Sequence, residues 1–316
     1  MRLIVAFFRL VRSLNLLFIA LTQFLFQYCI ISPELTKIGV QPQLTHFLFF
    51  LLVLSSVFIA AAGYIINDYF DLNIDRINKP EKLVVEKIIK RRWASVWHLG
   101  LSIAGIALSF YVSWKNNYNF LLGFANIGCV LLLWVYSTIF KKKLLSGNII
   151  ISLLTGWVVL VLYVAEMDRF FYTVNNPQLS NAIAKIFKLA VLYGGFAFII
   201  SLIREIIKDI EDMPGDEKYG CRTMPIVWGL NVSKVFIATW LIVLVGALII
   251  IQIYMLPSGW WFAFLYMLVF ILGPLLYIFK KLFNAQNSKD FHMLSNWVKL
   301  VMMTGILSIL FFKLYE

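Results

Sequence analysis

Two short segments of the chain concentrate carboxylates, although the 316 residues include only 16 Asp and Glu. The first, residues 67–75, reads NDYFDLNID and is called the first acidic motif. Its spacings of three and four place Asp68, Asp71 and Asp75 on one helical face, where like charges repel. A divalent cation removes that repulsion, and ligation by oxygens alone, from these carboxylates and the Asn67 amide, favours Mg²⁺ over Zn²⁺.

The second acidic motif, residues 204–216, reads REIIKDIEDMPGD. Asp209, Asp212 and Asp216 repeat the order of the first motif, with a pair three residues apart and then a third Asp. Pro214-Gly215 predicts that a helix ends inside this segment. The repetition predicts that both motifs contribute to one site.

Two facing acidic motifs could hold two Mg²⁺ ions with a diphosphate between them, while nearby cations neutralise the remaining phosphate charge. The basic residues placed for that role are Arg76, Lys79, Lys82, Lys141, Arg204 and Lys208. Lys208 lies inside the second motif and is the strongest candidate. The alternatives are a solvated acidic helix end for the carboxylates and the topological bias of membrane proteins for the cations. A calcium loop is excluded, because Arg76 stands where such a loop needs Gly.

The elements that must position these motifs are membrane helices. Hydrophobic residues make up 61% of the chain and charged residues 14%, whereas soluble domains are about a quarter charged. Nine apolar runs are long enough to cross a bilayer core about 30 Å thick. The predicted spans are 14–31, 46–67, 94–113, 118–140, 147–166, 187–206, 232–254, 259–279 and 293–313.

These spans predict an all-α, polytopic membrane protein with a helix bundle around a central cavity. We expect a single domain, 1–316, with two related halves of about 1–145 and 146–316. Most Lys and Arg border spans on the side of the amino terminus, which predicts that this terminus and both acidic motifs are cytoplasmic, at the cell inner membrane.

The net charge of +12 does not indicate nucleic acid binding, because the basic residues border membrane spans and form no stripe interleaved with aromatic side chains. Membrane lipid head groups are the expected anionic partners. The three cysteines lack a paired spacing typical of zinc sites or disulfide frameworks.

With these motifs the chain resembles the UbiA superfamily of intramembrane prenyltransferases, whose two motifs read N-D-x-x-D-x-x-x-D and K-D-x-x-D-x-x-G-D. The likeness extends over nearly the whole chain. Residues 12–15 are similar to the family's R-P-x-N start, residues 136–148 to its Y-S…G-N segment, and residues 220–225 to the stretch after the second motif. Within the superfamily, residues 77–82 and 204–205 look most like those of digeranylgeranylglyceryl phosphate synthases.

The resemblance implies Mg²⁺-dependent transfer of a prenyl group, expected to be geranylgeranyl, from its diphosphate to a lipophilic acceptor, expected to be geranylgeranylglyceryl phosphate. The implied metal–diphosphate ligands are Asn67, Asp68, Asp71, Asp75, Asp209, Asp212 and Asp216. Those with a direct role in catalysis are Asp68, Asp71, Lys208, Asp209 and Asp212. Further substrate-binding residues are Arg12, Asn15, Tyr136, Lys141 and Asn148, of which Arg12, Asn15, Lys141 and Asn148 are expected around the polar head of the acceptor.

Two alternatives stay open at this point. An aromatic, quinone-pathway or chlorophyll-type prenyltransferase would keep the same donor site and change the acceptor pocket. A cation transporter would also use paired acidic residues, but its carboxylates should lie in the middle of the spans, whereas both motifs here follow apolar runs.

Overall fold

The computed structural model describes residues 2–81, 83–166 and 176–315, and within these ranges it consists of helices and loops, without a strand. Nine of the described helices are long and apolar enough to cross a membrane. They are α1 (Ser13–Thr36), α2 (His46–Asn78), α3 (Arg91–Lys115), α4 (Phe120–Thr138), α5 (Ser146–Ala165), α6 (Pro177–Glu211), α7 (Leu230–Ser258), α8 (Trp261–Asn284) and α9 (Ser288–Leu314). The all-α, polytopic prediction is confirmed.

The chain divides into two compact units. Unit 1 comprises Met1–Phe140 and Trp157–Gly194, and unit 2 comprises Lys141–Gly156 and Gly195–Glu316. The first acidic motif therefore belongs to unit 1 and the second to unit 2.

Close helix packing fixes α2 inside unit 1. A side chain in place of the hydrogen of Gly105 on α3 would meet Ile59 of α2 at 2.7 Å, so the two backbones approach closely. The Ser55 hydroxyl of α2 donates to the Gly105 carbonyl at 2.7 Å. Small residues and short polar contacts of this kind are the usual means of helix association in membranes. The helix that carries the first motif is thus held firmly against α3.

The core of unit 2 is built around the last turns of α6. Ile203 and Ile207 of α6 are buried in one cluster with Leu241 of α7, Leu275 of α8 and Leu294 of α9. Burial of these aliphatic side chains on neighbouring helices orients α6 just before the second acidic motif. The packing therefore positions Asp209, which follows Ile207 by two residues.

Helices α2 and α6 are longer than the predicted spans. Helix α2 continues to Asn78, whereas the predicted span ends at residue 67, and α6 runs from Pro177 to Glu211 rather than over 187–206. Hydropathy locates the apolar core, but a helix continues wherever its backbone hydrogen bonds are made, with or without lipid around it. The first acidic motif consequently lies within a helix and not beyond its end.

Pro214 and Gly215 do not act as a simple stop. Helix α6 ends at Glu211, and a short helix, Met213–Lys218, follows with Pro in its first turn. A proline is tolerated there because the first helical N–H groups have no partner within the helix.

A π-helical turn interrupts α1 at Gln27–Ile31 and α8 at Leu268–Leu272, and each turn precedes a proline, Pro33 or Pro274. Proline lacks an N–H and its ring crowds the carbonyl four residues earlier, so a wider turn relieves the clash. This explains why α1 continues to Thr36 beyond its predicted end at residue 31.

Candidate active site

The first acidic motif lies in the last turns of α2, with its amide and one carboxylate buried. Asn67 is 8% exposed and Asp71 4% exposed. The Asn67 side-chain amide donates to Asp71 Oδ2 at 2.7 Å. The amide oxygen of Asn67 is also buried and accepts no hydrogen bond from the described residues. Since a buried acceptor without a donor is costly, this oxygen is suited to a cation.

Arg12 forms an ion pair with the first motif. Its guanidinium donates to Asp68 Oδ1 at 2.8 Å and lies over the Tyr64 ring, 4.9 Å from the ring centre. Burial disfavours the charge on Arg12, but Asp68, Tyr64 and Asp71 together outweigh that effect, so the pKa of the guanidinium is raised above its ordinary value. The structure therefore places Arg12 beside a predicted metal ligand, whereas its role at the head of the acceptor stays a prediction.

The backbone at Arg12 is left-handed, with φ 53° and ψ 56°, between the short helix Arg2–Leu10 and α1. Residues with a Cβ pay roughly 1–2 kcal/mol for this conformation, and Gly does not. We expect Arg12→Ala to be less stable than Arg12→Gly by about 1 kcal/mol, although both variants lose the ion pair. Denaturant unfolding in one detergent measures the difference, with exposed Arg92→Ala as the control. Equal stability of the two Arg12 variants would contradict strain at this residue.

The other predicted residues of unit 1 lie in or near α1, α2 and α4. Asn15 lies in the first turn of α1, and its backbone N–H donates to the Arg12 carbonyl at 2.8 Å. Arg76 is exposed and, with Leu72, lines a shallow cavity. Three further predicted substrate or metal-binding residues are partly buried: Asp75, Lys79 and Tyr136. Lys82 lies outside the described residues. The substrate roles of this group stay predictions.

The second acidic motif spans the end of α6 and the short helix after it. Asp209 lies in the last turn of α6, and Asp212 directly follows that helix. Asp216 lies in the short helix Met213–Lys218 and is buried. Unlike the first motif, the second is thus divided between two helices.

Asn148 contacts the second motif. It is a buried residue in the first turn of α5, and its side-chain amide donates to Asp209 Oδ2 at 2.8 Å. The sequence prediction placed Asn148 near the acceptor without a partner. In the structure it orients one oxygen of Asp209 and leaves the other oxygen for a further ligand.

Replacing Asn148 should impair a metal site that includes Asp209. Loss of a hydrogen bond to a metal ligand typically costs 10–100-fold in activity or metal affinity, so we expect Asn148→Ala to lower kcat/KM by about that factor. Asn148→Asp should be worse, because it faces one carboxylate with another. Prenyl-transfer assays measure both, with exposed Asn181→Ala as the matched control. Wild-type activity in Asn148→Asp would exclude this contact from the site.

Two predicted phosphate-binding cations share one carboxylate in unit 2. Glu205 lies 3.2 Å from the Arg204 guanidinium and 3.5 Å from the Lys208 ammonium. Sequence analysis gave Glu205 no role, although its spacing of three from Lys208 is the usual signal of a helical ion pair. Glu205 keeps both cations beside the second motif.

Glu211 was also missed. Its Oε1 lies 2.8 Å from His292 Nδ1, and its carbonyl accepts from the Ser288 hydroxyl at 3.0 Å, so it ties the end of α6 to the start of α9. Only the folded structure reveals this role, since α9 begins far along the chain.

Lys141 lies half-buried in a short helical turn, Phe140–Lys142, that leads into α5. The carbonyl of Lys142 accepts from the backbone N–H of Arg222 at 2.8 Å. This bond joins the segment before α5 to the one that follows the second acidic motif.

The ligand chemistry of both motifs fits Mg²⁺. Within neither unit do three His, Cys, Asp or Glu side chains of the described residues form a ready metal cage. Mg²⁺ does not require one, because it usually takes one or two carboxylates and completes its shell with water and phosphate oxygens. The unpaired amide oxygen of Asn67, beside Asp68 and Asp71, is the observation that favours a cation at the first motif.

Comparison with known proteins identifies relatives over most of the chain. The model of the UbiA prenyltransferase family matches residues 35–301. Digeranylgeranylglyceryl phosphate synthase of Methanosphaera stadtmanae is 30% identical over 258 residues, which cover 80% of this chain and 83% of that protein. The protein of the same name from Methanocaldococcus jannaschii is 31% identical over 245 residues, covering 78% and 77%. The resemblance inferred from the motifs is confirmed.

Solved structures agree in fold. A digeranylgeranylglyceryl phosphate synthase matches with a TM-score of 0.59 and 25% identity, over 98% of this chain and 99% of that chain. A UbiA homolog from Archaeoglobus fulgidus, bound to DMAPP and Mg²⁺, matches with a TM-score of 0.58 and 17% identity, over 96% and 98%. At that identity the second match supports the fold alone.

Proposed function

Since the chain belongs to the UbiA prenyltransferase family and is an integral membrane prenyltransferase, we propose that it transfers a geranylgeranyl group from its diphosphate to geranylgeranylglyceryl phosphate. The product is a digeranylgeranylglyceryl phosphate, an intermediate of ether-lipid synthesis. The observation that carries the choice of acceptor is that the related synthases described above match most of this chain and are named for that product.

The donor site that we propose uses both acidic motifs on one diphosphate, with the two related halves of a single domain each supplying one motif. Asn67, Asp68 and Asp71 would hold Mg²⁺ at the first motif, and Asp209 and Asp212 at the second. Asp75 and Asp216 complete the two ligand sets. The bound ions would neutralise the charge of the diphosphate as it leaves.

The basic residues supply the rest of the charge balance. Breaking the allylic C–O bond places positive charge on the prenyl carbon and negative charge on the diphosphate. Arg204 and Lys208, which both pair with Glu205, would donate to diphosphate oxygens beside the second motif. Arg12 compensates Asp68 and keeps that carboxylate oriented before substrate binds.

The acceptor hydroxyl must lose a proton as the new C–O bond forms. We propose Asp68 or Asp209 as the group that takes it, because each presents a carboxylate whose orientation is fixed by a hydrogen bond. Apolar helices exclude water, which would otherwise trap the prenyl cation as an alcohol. By the distribution of Lys and Arg, we place the amino terminus and both motifs on the cytoplasmic face of the inner membrane.

An acceptor panel tests this function. The purified protein is supplied with Mg²⁺, geranylgeranyl diphosphate and, separately, geranylgeranylglyceryl phosphate, hydroxybenzoate, naphthoate or a tetrapyrrole acceptor. We expect product with the glycerol phosphate lipid. Product with an aromatic or tetrapyrrole acceptor alone would overturn the proposed acceptor and leave the prenyltransferase assignment intact.

A further inference from the structure

A short helix, Arg2–Leu10, precedes the first membrane helix and packs on unit 1 along one face. Ala6 is 1% exposed and Leu10 is fully buried, in a cluster that includes Ile65 of α2. The Phe7 ring meets the Trp97 ring edge-on, with centres 4.8 Å apart. The helix is therefore fixed to the protein by this face, and its other faces are available to its surroundings.

The exposed part of the helix Arg2–Leu10 has an apolar face and, on another side, a basic residue. Ile4 and Phe8 lie four residues apart, so they share one face, and they are 62% and 53% exposed. Their neighbours Leu3 and Val5 are also exposed. Arg9 is exposed on a different side of the helix, one position after Phe8. Apolar side chains in this arrangement are unfavourable in water and typical of a helix at a membrane surface.

The length and the position of the helix favour lipid as the occupant. Nine residues span about 14 Å, too short to cross a core of about 30 Å. Only Val11 and Arg12 separate it from α1, so it lies where a membrane span begins. The first turns of α1 expose Leu14 and Leu17, which continue the apolar surface along the chain.

We propose that Arg2–Leu10 is an interfacial helix that binds an anionic lipid surface. Ile4 and Phe8 enter the boundary between head groups and acyl chains, and Arg9 pairs with lipid phosphates. The charge of Arg9 is complementary to anionic lipid. A protein partner would need a surface that matches the shape of this exposed apolar face. A fluid bilayer needs no such match, so it can cover an apolar face that is bordered by a basic residue.

Site-specific labelling of the full chain tests the apolar contact. The native Cys29, Cys129 and Cys221 are buried, so an environment-sensitive fluorophore reacts selectively at an introduced cysteine. The chain, one copy per nanodisc, is labelled at Phe8→Cys or at Ile4→Cys, with exposed Glu81→Cys as the aqueous reference. Lipids carrying quenchers at different depths locate each label.

We expect labels at positions 8 and 4 to lie about 5–10 Å below the head groups, while the label at position 81 reports water. Two results would overturn lipid binding. One is a water-like signal at positions 8 and 4. The other is a label shielded from both water and lipid quenchers, which would mean that protein covers this face.

The charge contact is tested by lipid composition. Nanodiscs of phosphatidylcholine alone are compared with nanodiscs that also contain phosphatidylglycerol. We expect stronger quenching at position 8 in the anionic lipid, and we expect Arg9→Gln to remove that difference. No difference between the two compositions in a chain that retains Arg9 would overturn the preference for anionic lipid. Neither measurement depends on prenyl transfer, so the result stands apart from the proposed function.

Discussion

Asp68→Ala and Asp209→Ala are each expected to abolish measurable prenyl transfer, a loss of roughly a thousandfold or more. Each carboxylate has one oxygen oriented by a hydrogen bond, from Arg12 to Asp68 and from Asn148 to Asp209. Removing either carboxylate removes a proposed metal ligand and takes away the acceptor of that hydrogen bond. Product formation at saturating Mg²⁺ and donor, followed by mass spectrometry, measures the loss.

Two exposed charged residues provide controls for these variants. Glu217 directly follows Asp216, and Lys90 precedes α3. Glu217→Ala and Lys90→Ala should keep activity within about twofold of the wild type, since exposed charges contribute little. Thermal unfolding of each variant separates lost chemistry from lost folding. Equal activity in all four variants would refute the assignment of Asp68 and Asp209.

The membrane helices could be predicted because the length and hydropathy of an apolar run are sufficient to identify a membrane span. Each predicted span corresponds to a helix among the described residues, and errors concern their ends. The predicted membrane span 46–67 ends before its helix does, because polar residues continue the helix to Asn78, although the spacing of the acidic residues had already indicated a helical face there. The span 14–31 falls short because a π turn lets the helix pass Pro33. The helix Arg2–Leu10 was missed because it is too short for a membrane span.

The spacing of the acidic residues predicted which of them form the candidate site, but it did not predict their hydrogen-bond partners. Arg12 and Asp68 are 56 positions apart, and Asn148 and Asp209 are 61 apart. Such contacts depend on how the helices pack. The periodicity of a single sequence indicates which residues share a helix face, but not which distant residues that face contacts. The Glu205 ion pairs are the exception, because a spacing of three from Lys208 on a helix is visible in the sequence.

Withdrawal of Mg²⁺ is expected to stop the reaction completely and reversibly. The candidate ligands are carboxylate and amide oxygens, which favour Mg²⁺, and chelation would leave the diphosphate charge without a counterion. Activity should return when Mg²⁺ is added back, and Zn²⁺ should restore less. Activity that persists after exhaustive chelation would exclude a metal-dependent reaction.

Asn67 provides a test that does not depend on turnover. Its buried amide oxygen accepts no hydrogen bond from the described residues, and an unsatisfied buried acceptor costs about 1–3 kcal/mol. A cation that recovers about 1.4 kcal/mol there would bind about tenfold more tightly. We therefore expect Asn67→Ala to raise the Mg²⁺ concentration for half-maximal thermal stabilisation in the presence of a prenyl diphosphate by about tenfold. Asn73→Ala, at an exposed position on the same helix, should leave it unchanged. Unchanged Mg²⁺ dependence in Asn67→Ala would remove Asn67 from the ligand set and leave the carboxylates as the metal ligands of the first motif.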